Sequence, residues 1–115
     1  MKKFDKGVKF DEGKERFDLL PPDALFEITK VFTYGQQKYG ERNWEKGMLW
    51  GRLFAATMRH LWNWWRGEKY DKESGLSHLA HAGANIFFLL HYEQSYTKYK
   101  KYDDRYLKES NERED

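Results

Sequence analysis

Between Trp50 and Trp65 the chain repeats with the period of an α-helix. Trp50, Leu53, Phe54, Thr57, Met58, Leu61, Trp62 and Trp65 keep the i, i+3, i+4, i+7 spacing through four turns. Arg52, Arg59, Asn63 and Arg66 fall on the opposite side, with His60 at the boundary. Gly67 supplies the residue type that most readily closes a helix. No β-hairpin signal and no internal repeat competes with this pattern. The fold class expected is all-α, a small helical bundle.

Two more helices follow from the same reasoning. Pro21-Pro22-Asp23 is a helix start, because proline suits the first turn and an early carboxylate suits the helix dipole. Leu25, Ile28, Phe32 and Tyr39 then mark one face of a helix over 22–38, ending near Gly40. Glu27, Tyr34 and Lys38 share a second face, and Gly35 calls for a helix packed closely against it. Residues 40–49 read as a loop bracketed by Gly40 and Gly47. A third helix is expected from near Ser74 or Leu76 to at least Tyr92. The spacing of Tyr92, Tyr96, Tyr99 and Tyr106 carries it to about residue 108. Leu76, Leu79, Gly83, Ile86, Phe87 and Leu90 give it a broad apolar face, and Ala82, Phe88 and Leu89 make it nearly apolar all round. Such a helix belongs in a core or between subunits. The second and third helices should form an antiparallel hairpin across 67–75. Residues 1–20 read as an arm anchored by Phe10, Phe17, Leu19 and Leu20, with a frayed end an equal reading for 1–8. The chain thus divides into a helical domain over 1–93 and a charged, partly helical extension over 94–115, with Glu109–Asp115 frayed.

A length of 115 residues makes this one domain with a modest core. The aromatic fraction of 18% lets that core bury a large area per residue. The surplus of aromatic surface points to completion by self-association, as a homodimer or homotetramer. A net charge of +2 is too small to argue for nucleic acid, and none is expected as a partner. The absence of cysteine excludes disulfides and thiolate metal sites. A metal must then be held by oxygen and imidazole, which suits Mg²⁺ or Mn²⁺. No apolar run reaches the length of a membrane span, and Met-Lys-Lys-Phe-Asp-Lys does not open a signal peptide. The expected location is cytoplasmic.

The chemistry-bearing residues concentrate between Glu68 and Asn85. Glu68, Asp71, Glu73, His78, His81 and Asn85 fall in one turn-plus-helix unit. His78 and His81 are three apart and share a helix face, with Asn85 one turn further on. In an antiparallel hairpin His60 comes level with His81, and the three carboxylates sit on the turn at that same end. Carboxylates supply hard oxygen ligands, and an imidazole can ligate or accept a proton. The metal candidates are Glu68, Asp71, Glu73 and His78, with Glu27 as an outlying one. Glu68, Asp71 and His81 are the catalytic candidates. Lys14, Arg16, Lys38, Arg42 and Arg59 could hold phosphate. His60 and Asn85 line the same end and are expected to touch substrate, and Asn43-Trp44 could read and stack a base. Each has a plainer alternative: Glu68 and Asp71 as helix caps, the basic residues as a solvated surface, Trp44 as a loop anchor.

The order of several segments carries a resemblance. They are Lys9-Phe10-Asp11-Glu12-Gly13-Lys14, Arg16-Phe17-Asp18-Leu19-Leu20-Pro21-Pro22, Tyr34-Gly35, Lys38-Tyr39-Gly40-Glu41-Arg42-Asn43-Trp44, Arg59-His60-Leu61, Gly67-Glu68, and Glu73-Ser74-Gly75 followed by His78-Leu79-Ala80-His81-Ala82. Over roughly 8–93 the chain resembles the N-terminal domain of phage and bacterial dATP/dGTP diphosphohydrolases, the MazZ-like group. The resemblance implies an all-α fold related to MazG-like nucleotide pyrophosphohydrolases. It implies metal-dependent cleavage of a purine deoxynucleoside triphosphate to the monophosphate and pyrophosphate. It also implies a role in phage nucleotide-pool remodelling, in the host cytoplasm if the chain is phage-encoded. One departure stands out. MazG-like enzymes carry Glu-x-x-Glu on one helix and Glu-x-x-Asp on the next. None of the helices expected here carries the first, Glu68-x-x-Asp71 sits at a helix end, and the third helix has His78-x-x-His81 instead. The alternatives are a non-catalytic helical interaction module and a purine dNTP-binding protein.

Overall fold

Three long helices carry the fold, and the third lies between the other two. The computed structural model describes residues 5–106. Helix α1 spans Pro22–Tyr39, α2 Trp50–Trp65, α3 His78–Gln94, and a single turn, α4, Tyr96–Tyr99. Short 3-10 turns occupy Phe17–Leu19, Asn43–Lys46 and Lys100–Tyr102. Among the described residues the one extended pairing outside the helices is an antiparallel bridge between Tyr70 and Ser77. The all-α expectation holds.

Local chemistry sets the helix ends. Pro22 opens α1, and Asp23 Oδ1 accepts from Ala24 N at 2.8 Å. Gly40 closes α1 in the left-handed half of backbone space, with φ 97°. Ser77 caps α3, its hydroxyl accepting from Ala80 N at 3.2 Å. The cap on α2 comes from far away in sequence: Asp104 Oδ1 accepts from Gly51 N at 2.7 Å.

α3 can be central because its buried positions are small. Ala80 and Ala84 pack with Val31, Ile28 and Phe32 of α1. At Gly83 a Cβ would come within 2.9 Å of Ile28 Cδ1, so the two helices meet at van der Waals distance there. The opposite end is aromatic. Trp50 and Leu53 of α2 pack with Tyr92 and Tyr99. Three tyrosines then satisfy three consecutive carbonyls. Tyr92 donates to Trp44 O at 2.7 Å, Tyr99 to Glu45 O at 2.8 Å and Tyr102 to Lys46 O at 3.1 Å. Gly47, at φ 95°, ends this turn where a Cβ would run into the Tyr102 ring.

Several expectations change. The third helix starts at His78, two residues after Leu76, the later of the two expected starts, because residues 70–77 fold back on themselves through the Tyr70–Ser77 bridge. It stops at Gln94, and the chain turns at Ser95 so that Tyr99 and Tyr102 reach the 43–46 turn. Burying those rings outweighs continuing the helix, and Tyr106 is exposed. The part of the expected extension beyond residue 106, including Glu109–Asp115, lies outside the described residues. The arm is unanchored by this chain: Phe10, Phe17 and Leu19 are 83%, 78% and 70% exposed, since no apolar surface of the fold reaches them. Gly35 has open space around it, and the close approach of helices falls at Gly83 instead. The α2 stripe splits along its length. Trp50, Leu53 and Thr57 are buried, whereas Phe54, Met58, Trp62 and Trp65 are exposed, because α3 covers only one side of a stripe that wide.

Candidate metal centre

The connection from α2 to α3 is held rigidly by backbone and side-chain bonds. Gly67 leaves α2 at φ 99°. Asp71 N donates to Leu76 O at 2.8 Å, and His78 N to Lys69 O at 2.9 Å. Inside this loop Asp71 Oδ2 accepts from the backbone amides of Glu73 at 3.1 Å and Ser74 at 2.9 Å. An Asp followed by turn amides is a local signal, and it fixes the carboxylate in place. The loop thereby sets Glu68, Asp71 and Ser74 against the facing sides of α2 and α3.

Three histidines meet there. His60 Nδ1 and His78 Nδ1 stand 2.9 Å apart. His60 also stacks on His81, with centroids 4.5 Å apart and planes 6° from parallel. His78 is fully buried, and its Nε2 contacts Glu68 Oε1 at 2.7 Å. An ionised carboxylate only accepts, so His78 carries a proton on Nε2 and, when neutral, offers a bare Nδ1. His81 Nε2 lies 2.7 Å from Ser74 Oγ. That hydroxyl oxygen accepts from Leu76 N at 3.1 Å, which leaves its proton for His81.

The electrostatics favour the neutral form of His60 and His81 and the charged form of the acids. Burial pulls the His60 imidazole down to about 4, and the neighbouring His81 adds to it. Burial likewise lowers His81, against the opposing pull of Asp71. Burial pushes the Asp71 carboxyl up, but the Ser74 hydrogen bonds and nearby imidazoles outweigh it and hold the group below its ordinary value. Glu68 is held low by its bond to His78. Neutral imidazole and ionised carboxylate are the forms that ligate a metal.

One ligand atom each from His60, Asp71 and His78 all lie within 4.8 Å of one another, which makes these three a candidate metal site. Two imidazole nitrogens and one carboxylate oxygen form a donor set that fits a transition-series dication. Glu68 behind His78 is the outer carboxylate that commonly fixes the ring of a metal-bound histidine. His60, expected to touch substrate, thus sits among the possible ligands. Its position on α2 beside Leu61 was legible, but which nitrogen it turns to His78 was not.

The other expected residues distribute as follows. Glu73 faces α1 instead of the triad, paired with Lys38 and accepting from Tyr34 OH at 3.1 Å. That pairing lowers Glu73 and raises Lys38. Glu27 pairs with Lys30 at 2.8 Å along α1. Arg16 pairs with Asp18 at 2.8 Å, and Lys14 and Arg59 are exposed. Asn85 is half-buried one turn beyond His81. Trp44 stacks on Phe88 and meets His91 edge-on at 4.9 Å, under the Arg42 guanidinium. Phe88 is ten residues from His78, about 15 Å along α3, so Asn43-Trp44 belongs to the other end of the molecule. His91 is half-buried in that aromatic cluster. Ser74 and Tyr34 join the site without having been singled out for it. Their signal was weak: a serine three residues after an aspartate, and a tyrosine in phase with Lys38.

The fold and the site define the class: an all-helical domain with a histidine–carboxylate cluster at one end of a helical hairpin. The chain belongs to the family described as dATP/dGTP diphosphohydrolase, N-terminal, whose model matches residues 5–105. That range extends past the 8–93 on which the sequence resemblance rests. A protein of Salmonella phage PMBT28 named dATP/dGTP diphosphohydrolase is 39% identical over 83 residues, covering 72% of this chain and 28% of the relative. The chain therefore spans well under half of that relative's length. No solved structure matches the chain significantly. No helix among the described residues is long and apolar enough to cross a membrane.

Proposed function

We propose that this domain hydrolyses purine deoxynucleoside triphosphates, dATP or dGTP, to the monophosphate and pyrophosphate, using a divalent cation held by His60, Asp71 and His78. The observation that carries this reading is the convergence of those three side chains within 4.8 Å in a member of this family. The name of the Salmonella phage relative supports the substrate class. A cation bound there would supply Lewis acidity at phosphoryl oxygens and acidify a bound water. The nitrogen-rich donor set favours Mn²⁺ over Mg²⁺, which prefers oxygen ligands. Glu68 acts on His78 as a positioning residue. His81, neutral and stacked on His60, accepts from the Ser74 hydroxyl, so it would act as a proton acceptor through Ser74 or once that bond is released. Lys38, with Lys14, Arg16 and Arg59 at longer range, would offset phosphate charge. Phage nucleotide-pool remodelling in a host cytoplasm is the setting this activity suits.

The same reading includes self-association as a homodimer or homotetramer. Trp62 and Trp65 of α2 and Ile86 and Leu90 of α3 are each more than half exposed. Leaving that much apolar surface in water is unfavourable, and a second copy would cover it.

A panel of the four dNTPs with pyrophosphate detection, run with Mn²⁺, with Mg²⁺ and with chelator, tests the activity. Pyrophosphate from dATP or dGTP only with metal is the expected result. Binding of a purine dNTP without release would favour a binding protein, and neither binding nor release an interaction module.

A further inference from the structure

Two donors on α1 converge on one oxygen. Glu73 Oε2 accepts from the Tyr34 hydroxyl at 3.1 Å and from the Lys38 ammonium. Tyr34 and Lys38 are four apart, so successive turns of one helix face present them together. The Lys38 ammonium also lies over the Tyr34 and Tyr39 rings, 5.9 Å and 5.2 Å from their centroids. An ammonium beside a hydroxyl suits an oxyanion, and in this structure that oxyanion is the Glu73 carboxylate.

The pair stands beside the metal centre. The Glu73 amide bonds Asp71 Oδ2, and Ser74, next in sequence, bonds His81. The Tyr34 ring meets His81 edge-on at 6.2 Å, and His81 stacks on His60. Glu68, Asp71 and Glu73 make this end of the hairpin acidic, and a triphosphate bound there needs positive charge. A dication at the triad would offset two of those carboxylates. Lys72 answers Glu68 loosely, 3.7 Å away with its side chain 89% exposed. Among the described residues Lys38 is the other lysine paired with one of these carboxylates, and Glu73 already neutralises it.

Glu73 is placed so that it can leave. Its side chain is 64% exposed, so withdrawing it uncovers little buried surface. A half-exposed ion pair adds little net stability. A phosphoryl group brings more charge and more acceptor oxygens than one carboxylate, and so competes well for the same donors. The Glu73 amide belongs to the backbone and stays on Asp71 when the side chain swings away.

We infer that Lys38 and Tyr34 form a phosphate subsite that the Glu73 carboxylate occupies until a phosphoryl group of the substrate displaces it. This rests on the hydrolase reading above and adds a residue that holds substrate affinity down.

Glu73→Gln and Glu73→Asp test it. The first removes the charge, and the second keeps the charge but draws the carboxylate back by one methylene. Glu73 is exposed, so both variants should fold, checked by circular dichroism and melting temperature. In Glu73→Gln, KM for dATP and dGTP should fall by about two- to fivefold, the weight of a half-exposed ion pair, with kcat near wild type. Glu73→Asp should lower KM in the same direction by less. Lys38→Met should raise KM on the order of tenfold, as for a lost charge-assisted bond to phosphate. In a Lys38→Met background Glu73→Asp should have no effect. An unchanged or higher KM in Glu73→Gln would overturn the inference while leaving the hydrolase reading intact. So would a lower kcat at constant KM, which would make Glu73 part of the catalytic centre. A fall in KM confined to Glu73→Gln, or one that Glu73→Asp still gives without Lys38, would reflect charge or shape alone and would also overturn it. If the wild type releases no pyrophosphate, equilibrium dialysis of dATP with Mn²⁺ decides. Tighter binding by both Glu73 variants than by wild type upholds the subsite without the catalysis, and equal binding, or none by any of the three, overturns it.

Discussion

Asp71 combines two roles that a single substitution can separate. Its Oδ2 organises the turn by accepting from Glu73 N and Ser74 N, and its charge faces His60 and His78. Asp71→Asn keeps an acceptor oxygen and removes the charge. Turnover should fall on the order of 10²-fold or more, as for loss of a ligand or proton acceptor. Stability should fall by less than the roughly 1 kcal/mol typical of a lost cap. Turnover close to wild type would mean that Asp71 shapes the turn only. His60 gives a second prediction, read in EDTA so that metal binding does not contribute. Its folded value, about 4, lies below the ordinary 6.5. Between those values the unfolded chain takes up a proton that the folded chain refuses, so stability declines as pH falls through this window. Melting temperature should drop from pH 7 to pH 4.5, and His60→Gln should flatten part of that drop. A slope identical in the variant would refute the assignment.

At the scale of elements, the end of α3 and the segment after it form a clamp. Tyr92, Tyr99 and Tyr102 occupy the carbonyls of residues 44, 45 and 46 in order, tying the α1–α2 loop to residues 92–102. Tyr92 is wholly buried, and burial pushes its hydroxyl up to about 12, so it remains a donor at any physiological pH. Tyr92→Phe leaves the Trp44 carbonyl without its donor in a dry site. We expect a loss of about 1–2 kcal/mol, measured by urea denaturation. The candidate metal centre at His78 is fourteen residues away, about 21 Å along α3, so turnover at 25 °C should stay near wild type. A large kinetic effect with little change in stability would show that the clamp reaches the site.

For the whole molecule, the decisive fact is how little the chain covers. Tyr92, Tyr99, Trp50 and Leu53 make one small buried cluster, and Val31 with Ala80 and Ala84 another. Against these stand Phe54, Met58, Trp62 and Trp65 on α2 and Leu79, Ile86, Phe87 and Leu90 on α3, all exposed. Light scattering at micromolar concentration should give a mass at least twice the 14.0 kDa of one chain. Trp62→Glu places a charge in that face and should shift the mass toward 14.0 kDa. A wild-type mass of one chain would remove the oligomer from the proposal.

Periodicity alone determined the three long helices and their hairpin order, because a 3.6-residue repeat and its Pro and Gly punctuation are local properties. With the hairpin it also brought His60 level with His81, and helical phase put His78 and His81 on one face. Tertiary structure decided the rest. Whether Trp62 faces protein or water depends on how much of α2 the narrow, alanine-lined α3 can cover. Whether Glu73 joins Asp71 or turns to Lys38 depends on where α1 crosses the connection. The break at Ser95 depends on a distant turn whose carbonyls need donors. Spacing along one chain cannot encode which groups from other elements arrive within 3 Å, and that is what separates a row of histidines and carboxylates from a site.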